Sequence, residues 1–266
     1  AGCVALPEDE LEVGEVEQFA LNCPDWGCSA NSSRINTYEF HELNIFGDQN
    51  TEGFRIFEFV KAGTKYQIEV VNGRLRGRNG AVIISGAGLV NAEIRLEHTD
   101  AGGVVTRYAL KVLDVNLWPF FADNNGVAPN PTFEAYRIYF SPMTRGVPTG
   151  PWRTICKNPN LPRQETLFLP GETVVLSEGE RISAKHKSIA QALEPAWFNI
   201  GCAGHALAKM FMTGHVEAAA SAGYPTSIEE RRSILKMYTG DYCGTGRAFT
   251  VPGVPLEWMD HKGWMD

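Results

Sequence analysis

Alternation of apolar and polar residues with a period of two recurs through the first half of this 266-residue chain. Every second residue from Val90 to Leu96 is apolar, and a Gly-containing turn at 100–103 leads into a β-branched run at 104–115. Side chains alternate between the two faces of a β-strand, so this period predicts strands with one buried face. Short strands joined by Gly-containing turns predict an antiparallel sandwich or barrel. No amphipathic helical pattern lies between these runs, which excludes a βαβ nucleotide-binding fold.

A tight hairpin turn is predicted at Asn72-Gly73, because this dipeptide tolerates the positive φ angles of a type I′ turn. Three arginines follow at a spacing of two, and we interpret them as the solvent face of the strand that leaves the turn: Arg74, Arg76 and Arg78. They form the one basic cluster in a chain of net charge −7, which argues against an extended nucleic-acid-binding surface.

Two helices are predicted, both late in the chain. The first runs from about Gly201 to Thr213, with Asn199 as its N-cap. The second begins at Ser227, which forms a capping box with Glu230. We therefore expect a mainly β fold, α+β overall, with an antiparallel β-sandwich or barrel followed by a small α+β lobe that carries the two helices.

The composition divides the chain into three parts. A stretch rich in Pro and Gly, 141–164, is the strongest candidate boundary. We expect an N-terminal cysteine-containing arm at 1–36, an antiparallel β domain at 37–145 and an α+β domain at 146–266. The arm begins acidic and is too polar to bury itself, so its cysteines would be what fixes it.

Six cysteines are spread along the chain: Cys3, Cys23, Cys28, Cys156, Cys202 and Cys243. An even number favours a fully paired set in an oxidising compartment, and the pairing stays open except that a short spacer favours Cys23 with Cys28. The chain begins Ala-Gly-Cys without an initiator Met, which is typical of signal-peptide removal. We therefore expect an extracytoplasmic protein, either secreted, periplasmic or on the cell surface. No apolar run is long enough to predict a membrane span.

Cys202 is the strongest candidate nucleophile. If Asn199 caps the first helix, Cys202 lies in the first turn, where free backbone N–H groups and the helix dipole lower the pKa of a thiol. His205 lies three residues further on the same face, as a candidate base. The alternative is that Cys202 is oxidised, with Cys156 or Cys243 as its partner, and that His205 is an ordinary polar position. No complete catalytic set is present, so we favour a non-catalytic protein.

Two aromatic residues, Trp118 and Phe121, are candidates for a platform that binds carbohydrate or a protein partner. The alternative is that they close the end of a β-sandwich. His205 and His215 could join a metal site with Asp241 or Glu217. The two histidines are separated by about 15 Å along a straight helix, however, which is too far for one ion unless Gly214 ends the helix and folds His215 back. We therefore expect no metal and no cofactor.

The segment 240–243 (Gly-Asp-Tyr-Cys) resembles the signature of the ADYC domain, which is found in secreted proteins of myxobacteria and their relatives. Gly240 stands where the family has Ala. Two upstream pieces are similar to the family in the same order, the Trp-x-x-x-Cys segment within 151–156 and the run 198–210. The resemblance covers about residues 150–266 and implies a secreted bacterial protein, but the family has no activity to carry over.

One departure from the family pattern concerns a pair of cysteines. The family's Ala-Lys-Cys string reads Ala-Lys-Met here and ends at Met210, and the cysteine expected in the next helix falls near Ile234. If those two cysteines are partners in the relatives, the resemblance implies that this chain has replaced a bridge with apolar packing.

The leading hypothesis is a secreted, non-catalytic structural, assembly or binding protein. Its arm would pack on a neighbouring copy and give a homo-oligomer or filament, or the protein would bind a surface glycan or protein. The alternatives are a secreted cysteine-dependent hydrolase or transferase that uses Cys202, and a carbohydrate-binding module that uses Trp118 and Phe121.

Overall fold

A computed structural model describes residues 33–119, 132–156, 173–183, 188–189, 194–203, 205–215 and 226–239. These residues form sixteen strands, two α-helices and one 3₁₀ turn. The strands are β1 (Ser33–Ile35), β2 (Tyr38–Phe40), β3 (Glu42–Asn44), β4 (Phe54–Lys61), β5 (Thr64–Val71), β6 (Arg74–Asn79), β7 (Val82–Ser85), β8 (Glu93–Thr99), β9 (Val105–Pro119), β10 (Thr132–Thr144), β11 (Val147–Pro148), β12 (Arg153–Thr154), β13 (Thr173–Glu178), β14 (Ile182–Ser183), β15 (Ser188–Ile189) and β16 (Trp197–Cys202). The helices are α1 (Ala206–Met212) and α2 (Ile228–Thr239), and the 3₁₀ turn is Gly86–Leu89.

One twelve-stranded sheet dominates the molecule, in the order β3-β16-β13-β10-β9-β8-β4-β5-β6-β7, with β11 and β12 also paired to β10. All of its strand pairs are antiparallel. Two short hairpins, β1-β2 and β14-β15, stand apart from it. The prediction of a mainly β, antiparallel fold with two late helices is confirmed.

The Asn72-Gly73 turn is a type I′ turn, as predicted. Asn72 and Gly73 have φ angles of 53° and 68°, and they connect β5 to β6 with Val71 paired to Arg74. The three arginines of β6 alternate with core-facing Leu75 and Gly77, so they lie on the face of the strand that points away from the core.

The sheet folds back on itself, so that the tip of the β5-β6 hairpin touches β13. The Glu178 carboxylate accepts hydrogen bonds from the backbone N–H groups of Asn72 and Gly73, the latter at 2.8 Å. A side chain at Gly73 would prevent this close approach of the hairpin to β13, because its Cβ would lie 2.9 Å from the carbonyl oxygen of Leu176. On the next strand, the Leu75 N–H donates to the Tyr136 hydroxyl at 2.7 Å.

The main core lies between the two halves of the folded sheet. Its largest fully buried side chains include Tyr136, Phe40, Phe54 and Phe198. Burying such rings contributes roughly 1.5–3 kcal/mol each, which is the dominant favourable term in a fold of this kind. A bulge between Arg137 and Ile138 of β10 bends the longest hairpin of the sheet and helps it to curve around this core.

The helices cover the outer face of one half of the sheet. Residues of α1 pack on Phe133, Ala135 and Val175 in one apolar cluster, and α1 packs on α2 in another. The second cluster contains both Met210 and Ile234, the two positions at which the family pattern expects cysteines. These positions are therefore filled by apolar packing between the helices.

The start of α2 is confirmed. The Ser227 N–H donates to Glu230 Oε2 at 3.0 Å, and the Glu230 N–H donates to Ser227 Oγ at 3.2 Å. This reciprocal pair is a capping box, which satisfies two of the free donors at a helix N-terminus.

The boundary predicted at 145/146 does not coincide with an edge of the sheet or of the core. β13 and β16, which follow it in the chain, lie in the same sheet as β4–β10. Their side chains Val174, Leu176 and Ile200 belong to the same apolar cluster as residues from before the boundary. The arm predicted at 1–36 lies outside the described residues except for its last four positions.

Candidate functional site

Cys202 lies on a strand, so the prediction that helix α1 begins at about Gly201 was wrong. Residues 197–202 form β16, which is paired on one side to β13 and on the other to β3. Backbone hydrogen bonds from both neighbours outweigh the helix propensity of the small residues that follow. Asn199 is not an N-cap, and its side-chain amide instead donates to the carbonyl oxygen of Glu180 at 2.7 Å. The helix begins at Ala206, after His205 in the N-cap position.

Cys202 forms a disulfide with Cys156, which is one of the two partners that the sequence left open. The bridge is buried, with Cys202 only 1% exposed. A thiolate attacks as a nucleophile, whereas a disulfide sulfur does not, so this geometry gives the cysteine-dependent alternative no support. The other four cysteines, Cys3, Cys23, Cys28 and Cys243, lie outside the described residues.

His205 is buried beneath the start of α1, and its Nδ1 has no hydrogen-bond partner within the described part of the chain. Burial lowers the pKa of His205 to about 4, and the charge of Lys209 lowers it further to a smaller degree. The imidazole is therefore neutral near pH 7, packed as part of the interior rather than aimed at an open pocket.

The protein should become less stable as the pH is lowered, because His205 is buried in its neutral form. The folded pKa of about 4 lies below the ordinary value of 6.5, so an unfolded chain binds a proton in this interval that the folded chain does not. The stabilisation that neutral His205 provides is therefore complete above pH 6.5 and is lost as the pH falls toward about 4. We expect the wild type to lose roughly 3 kcal/mol more than a His205→Leu protein between about pH 7 and 4 in urea unfolding. Parallel pH curves for the two proteins would contradict this.

His215 lies just beyond the end of α1, next to the Thr213 hydroxyl. His215 is fully buried, and its Nδ1 lies 2.9 Å from the Thr213 hydroxyl, which is also 3.1 Å from the hydroxyl of Tyr238. Within the described residues, no group of three or more His, Cys, Asp or Glu side chains could hold a metal ion.

Of the two aromatic residues predicted to form a binding platform, the structure describes Trp118. Trp118 is half-buried and packs against the apolar cluster beneath α1, so part of its ring is already covered. Phe121 lies outside the described residues. No helix in the described ranges is long and apolar enough to cross a bilayer.

Two buried carboxylates among the described residues, those of Glu180 and Glu42, are paired with arginine. Glu180 accepts from Arg231 at 2.7 Å, and Glu42 accepts from Arg181, whose guanidinium lies 3.9 Å from the centre of the Trp197 ring. A charge that is paired in this way holds elements together and leaves no acid or base free for chemistry.

The outer face of the central strands is also self-paired. A chain of alternating charges crosses four strands, with salt-bridge distances of 2.6, 2.6, 3.3 and 3.6 Å: Lys65, Glu58, Arg95, Glu93 and Lys111. The pKa of Glu58 is held below its usual value by hydrogen bonding to Lys65 and then to Arg95, against the opposing effect of burial. The charges on this face therefore satisfy one another, and only Lys65 is strongly exposed.

The two edges of the large sheet differ sharply in exposure. At one edge, all three residues of β3 are buried, and the carbonyl oxygen of Glu42 is capped by the Asn50 side chain at 2.7 Å. At the other edge, β7 exposes Val82 (58%) and Ile83 (47%). In the described part of the chain, β7 pairs with β6 alone. Alternate residues of such a strand direct their N–H and C=O groups outward, ready for another strand.

Sequence reasoning missed β7, although a signal for it is present. The β-branched run Val82-Ile83-Ile84 follows an Asn79-Gly80 dipeptide, a turn signal flanked by strand-forming residues. The structure connects β6 to β7 at that point, with Asn79 paired to Val82 and Gly80 at a φ angle of 58°.

A family model described as the ADYC domain matches residues 86–265. The match begins well before the stretch that carries the sequence resemblance and takes in β8, β9 and β10 as well as both helices. No curated protein and no solved structure matches the chain.

Proposed function

The chain belongs to the ADYC domain family, and from this premise we propose that it is a non-catalytic, extracytoplasmic protein that assembles through an edge of its β-sheet. The observation that carries the proposal is β7, an edge strand with exposed apolar side chains. Proteins ordinarily protect such an edge with charges, Pro or a covering element, because it pairs readily with another chain. An apolar edge that no described strand covers therefore favours pairing with a partner strand.

Two further features support this proposal. The sulfur of Cys202 is bonded to Cys156, and Glu42 and Glu180 are engaged by arginine, so none of these groups is free to act as a nucleophile or base. A buried disulfide that joins distant parts of the chain also favours an oxidising compartment outside the cytoplasm.

A Val82→Lys protein should associate at least about tenfold more weakly than the wild type, because Val82 lies on the face of β7 that carries Ile84, away from the arginines of β6. Lysine on an edge strand places a charge where a neighbouring strand would bury an apolar side chain, and the lost burial is worth roughly 1.4 kcal/mol or more. Sedimentation velocity over a range of protein concentrations measures the change.

Val147→Lys is the matched control, because Val147 is as exposed (57%) but lies on β11, away from β7. Its association should equal that of the wild type. A wild-type protein that stays a compact monomer at all concentrations, with its arm folded on its own body, would contradict assembly.

A further inference from the structure

Building on that proposed function, we propose that the partner of β7 is the acidic segment 10–17 in the N-terminal arm of a second copy of this chain. The segment would add to the sheet as a strand beside β7. The pairing of β6 with β7 defines what each face of the added strand would meet.

The faces of β6 and β7 are set by their register. Arg76 pairs with Ser85 and Arg78 pairs with Ile83, and paired residues of an antiparallel sheet lie on the same face. The other face carries Ile84, which packs against the core. On one face, a strand added to β7 would lie beside Ile83 and Ser85, with the arginines of β6 one strand further in, and on the other face it would lie beside Val82 and Ile84.

Arg76 is the arginine best placed to receive a carboxylate from such a strand. Arg78 is already held by Glu69 at 2.6 Å, and Arg74 donates to the carbonyl oxygen of Thr132. Arg76 forms no salt bridge with any described residue. Its neighbour toward the edge is Ser85, a small side chain that leaves room for the guanidinium to reach across β7.

The arm has the matching pattern. Residues 10–13 read Glu-Leu-Glu-Val and residues 15–18 read Glu-Val-Glu-Gln, so each four-residue run has carboxylates at alternate positions and apolar residues between them. As a strand, either run places its carboxylates on one face and its apolar side chains on the other. Each run also equals β7 in length.

The negative charge of the arm and the length of chain that follows residue 17 both favour the arm as the strand that pairs with β7. No Lys or Arg precedes Arg34, so the whole segment is acidic. Residues 18–32 span up to about 50 Å when extended, enough to cross to a neighbouring copy. Pairing of β7 with β7 of a second copy would instead bring two arginine-bearing faces together and gain no opposite charge.

A charge exchange between two proteins tests this pairing in the full-length chain. One protein carries Arg76→Glu, and the other carries Glu10→Lys, Glu12→Lys, Glu15→Lys and Glu17→Lys. Each alone should self-associate roughly tenfold more weakly than the wild type in sedimentation velocity. In an equimolar mixture, the lysine-bearing arm meets Glu at position 76 and the acidic arm meets Arg76. The mixture should therefore regain association to within roughly threefold of the wild type.

Controls separate this inference from the proposed function. Arg153→Glu, on exposed β12, should leave association unchanged. If the Arg76→Glu protein does not fold, because Glu69 lies opposite, Arg76→Gln replaces it and should weaken association roughly threefold and reduce its dependence on salt.

Three results would overturn the inference. If the arm variant self-associates like the wild type while Val82→Lys does not, edge assembly stands and the arm is not the occupant. If the mixture fails to recover, the arm and Arg76 do not meet between copies. If the wild type is monomeric throughout, the proposed function falls together with the inference.

Discussion

A Glu180→Gln protein is expected to unfold with a free energy about 3–5 kcal/mol lower than that of the wild type. Glu180 and Arg231 have side chains only 7% and 3% exposed, and Arg231 Nε donates to Glu180 Oε1 at 2.7 Å. A neutral amide leaves the Arg231 charge buried without a counter-charge, and water cannot solvate it there. Because Arg231 lies on α2, the loss should also loosen that helix from the rest of the fold. Equilibrium urea unfolding measures the free energy.

Two other proteins show whether charge burial causes the loss. Glu69→Gln makes the same substitution in a pair with Arg78 whose side chains are 20% and 41% exposed, and it should cost less than about 1 kcal/mol. Glu180→Leu combined with Arg231→Met removes both charges and should recover most of the stability. If Glu180→Gln is as mild as Glu69→Gln, the pair does not hold α2 in the way its geometry indicates.

Removal of the Cys156–Cys202 bridge should cost about 4 kcal/mol of unfolding free energy. The bridge joins residues separated by 46 positions, so in its absence the unfolded chain regains the conformational freedom of a long closed loop. Replacing both residues, as Cys156→Ala with Cys202→Ala, leaves neither one as a lone reactive thiol. Urea unfolding should show the lower stability together with a steeper dependence on urea, because the freed unfolded chain exposes more surface.

The change in urea dependence distinguishes a lost bridge from a small cavity in the core, which would lower stability and leave that dependence unchanged. Alkylation of the native wild type without reduction, followed by peptide mapping, supplies the chemical check. Cys156 and Cys202 should both escape labelling and appear in one linked peptide. A labelled Cys202 would contradict the bridge and restore the thiol as a candidate nucleophile.

The variants that test stability can be separated from those that test assembly through β7 and the acidic arm. The bridge and the buried ion pair lie on elements that form no strand pair with β7. We therefore expect neither variant to alter association as long as the protein is folded. Assembly and stability can then be measured separately, with Val82 and Arg76 testing the first and Glu180 and Cys202 testing the second.

Local features were predictable because short stretches of sequence control them. The type I′ turn needs positive φ at two consecutive residues, and Asn72-Gly73 supplies it in any context. The capping box of α2 depends only on Ser227 and Glu230. The same logic would have found β7, since the Asn79-Gly80 turn signal precedes a β-branched run.

The start of α1 shows where local prediction fails. Several residues that follow Cys202, among them Ala206, Leu207 and Ala208, have high helix propensity, yet Cys202 itself pairs with Val174 in β13. A helix start inferred from a cap residue cannot account for two neighbouring strands that are distant in sequence. Because the helix was predicted to begin too early, Cys202 was placed in its first turn, where the helix dipole would lower the pKa of a thiol.

By itself, the sequence determined the class of the protein: its mainly β character, its principal hairpin turn, the cap of α2 and the even set of cysteines. Periodicity, turn residues and caps act over a few neighbouring positions, so they can be read directly. Only the tertiary structure decided that β13 and β16 complete the sheet, that Cys156 is the partner of Cys202, and that β7 is the exposed edge while β3 is buried. Each of these depends on which distant segments meet, and that is set by burial of the whole core rather than by any one stretch of chain.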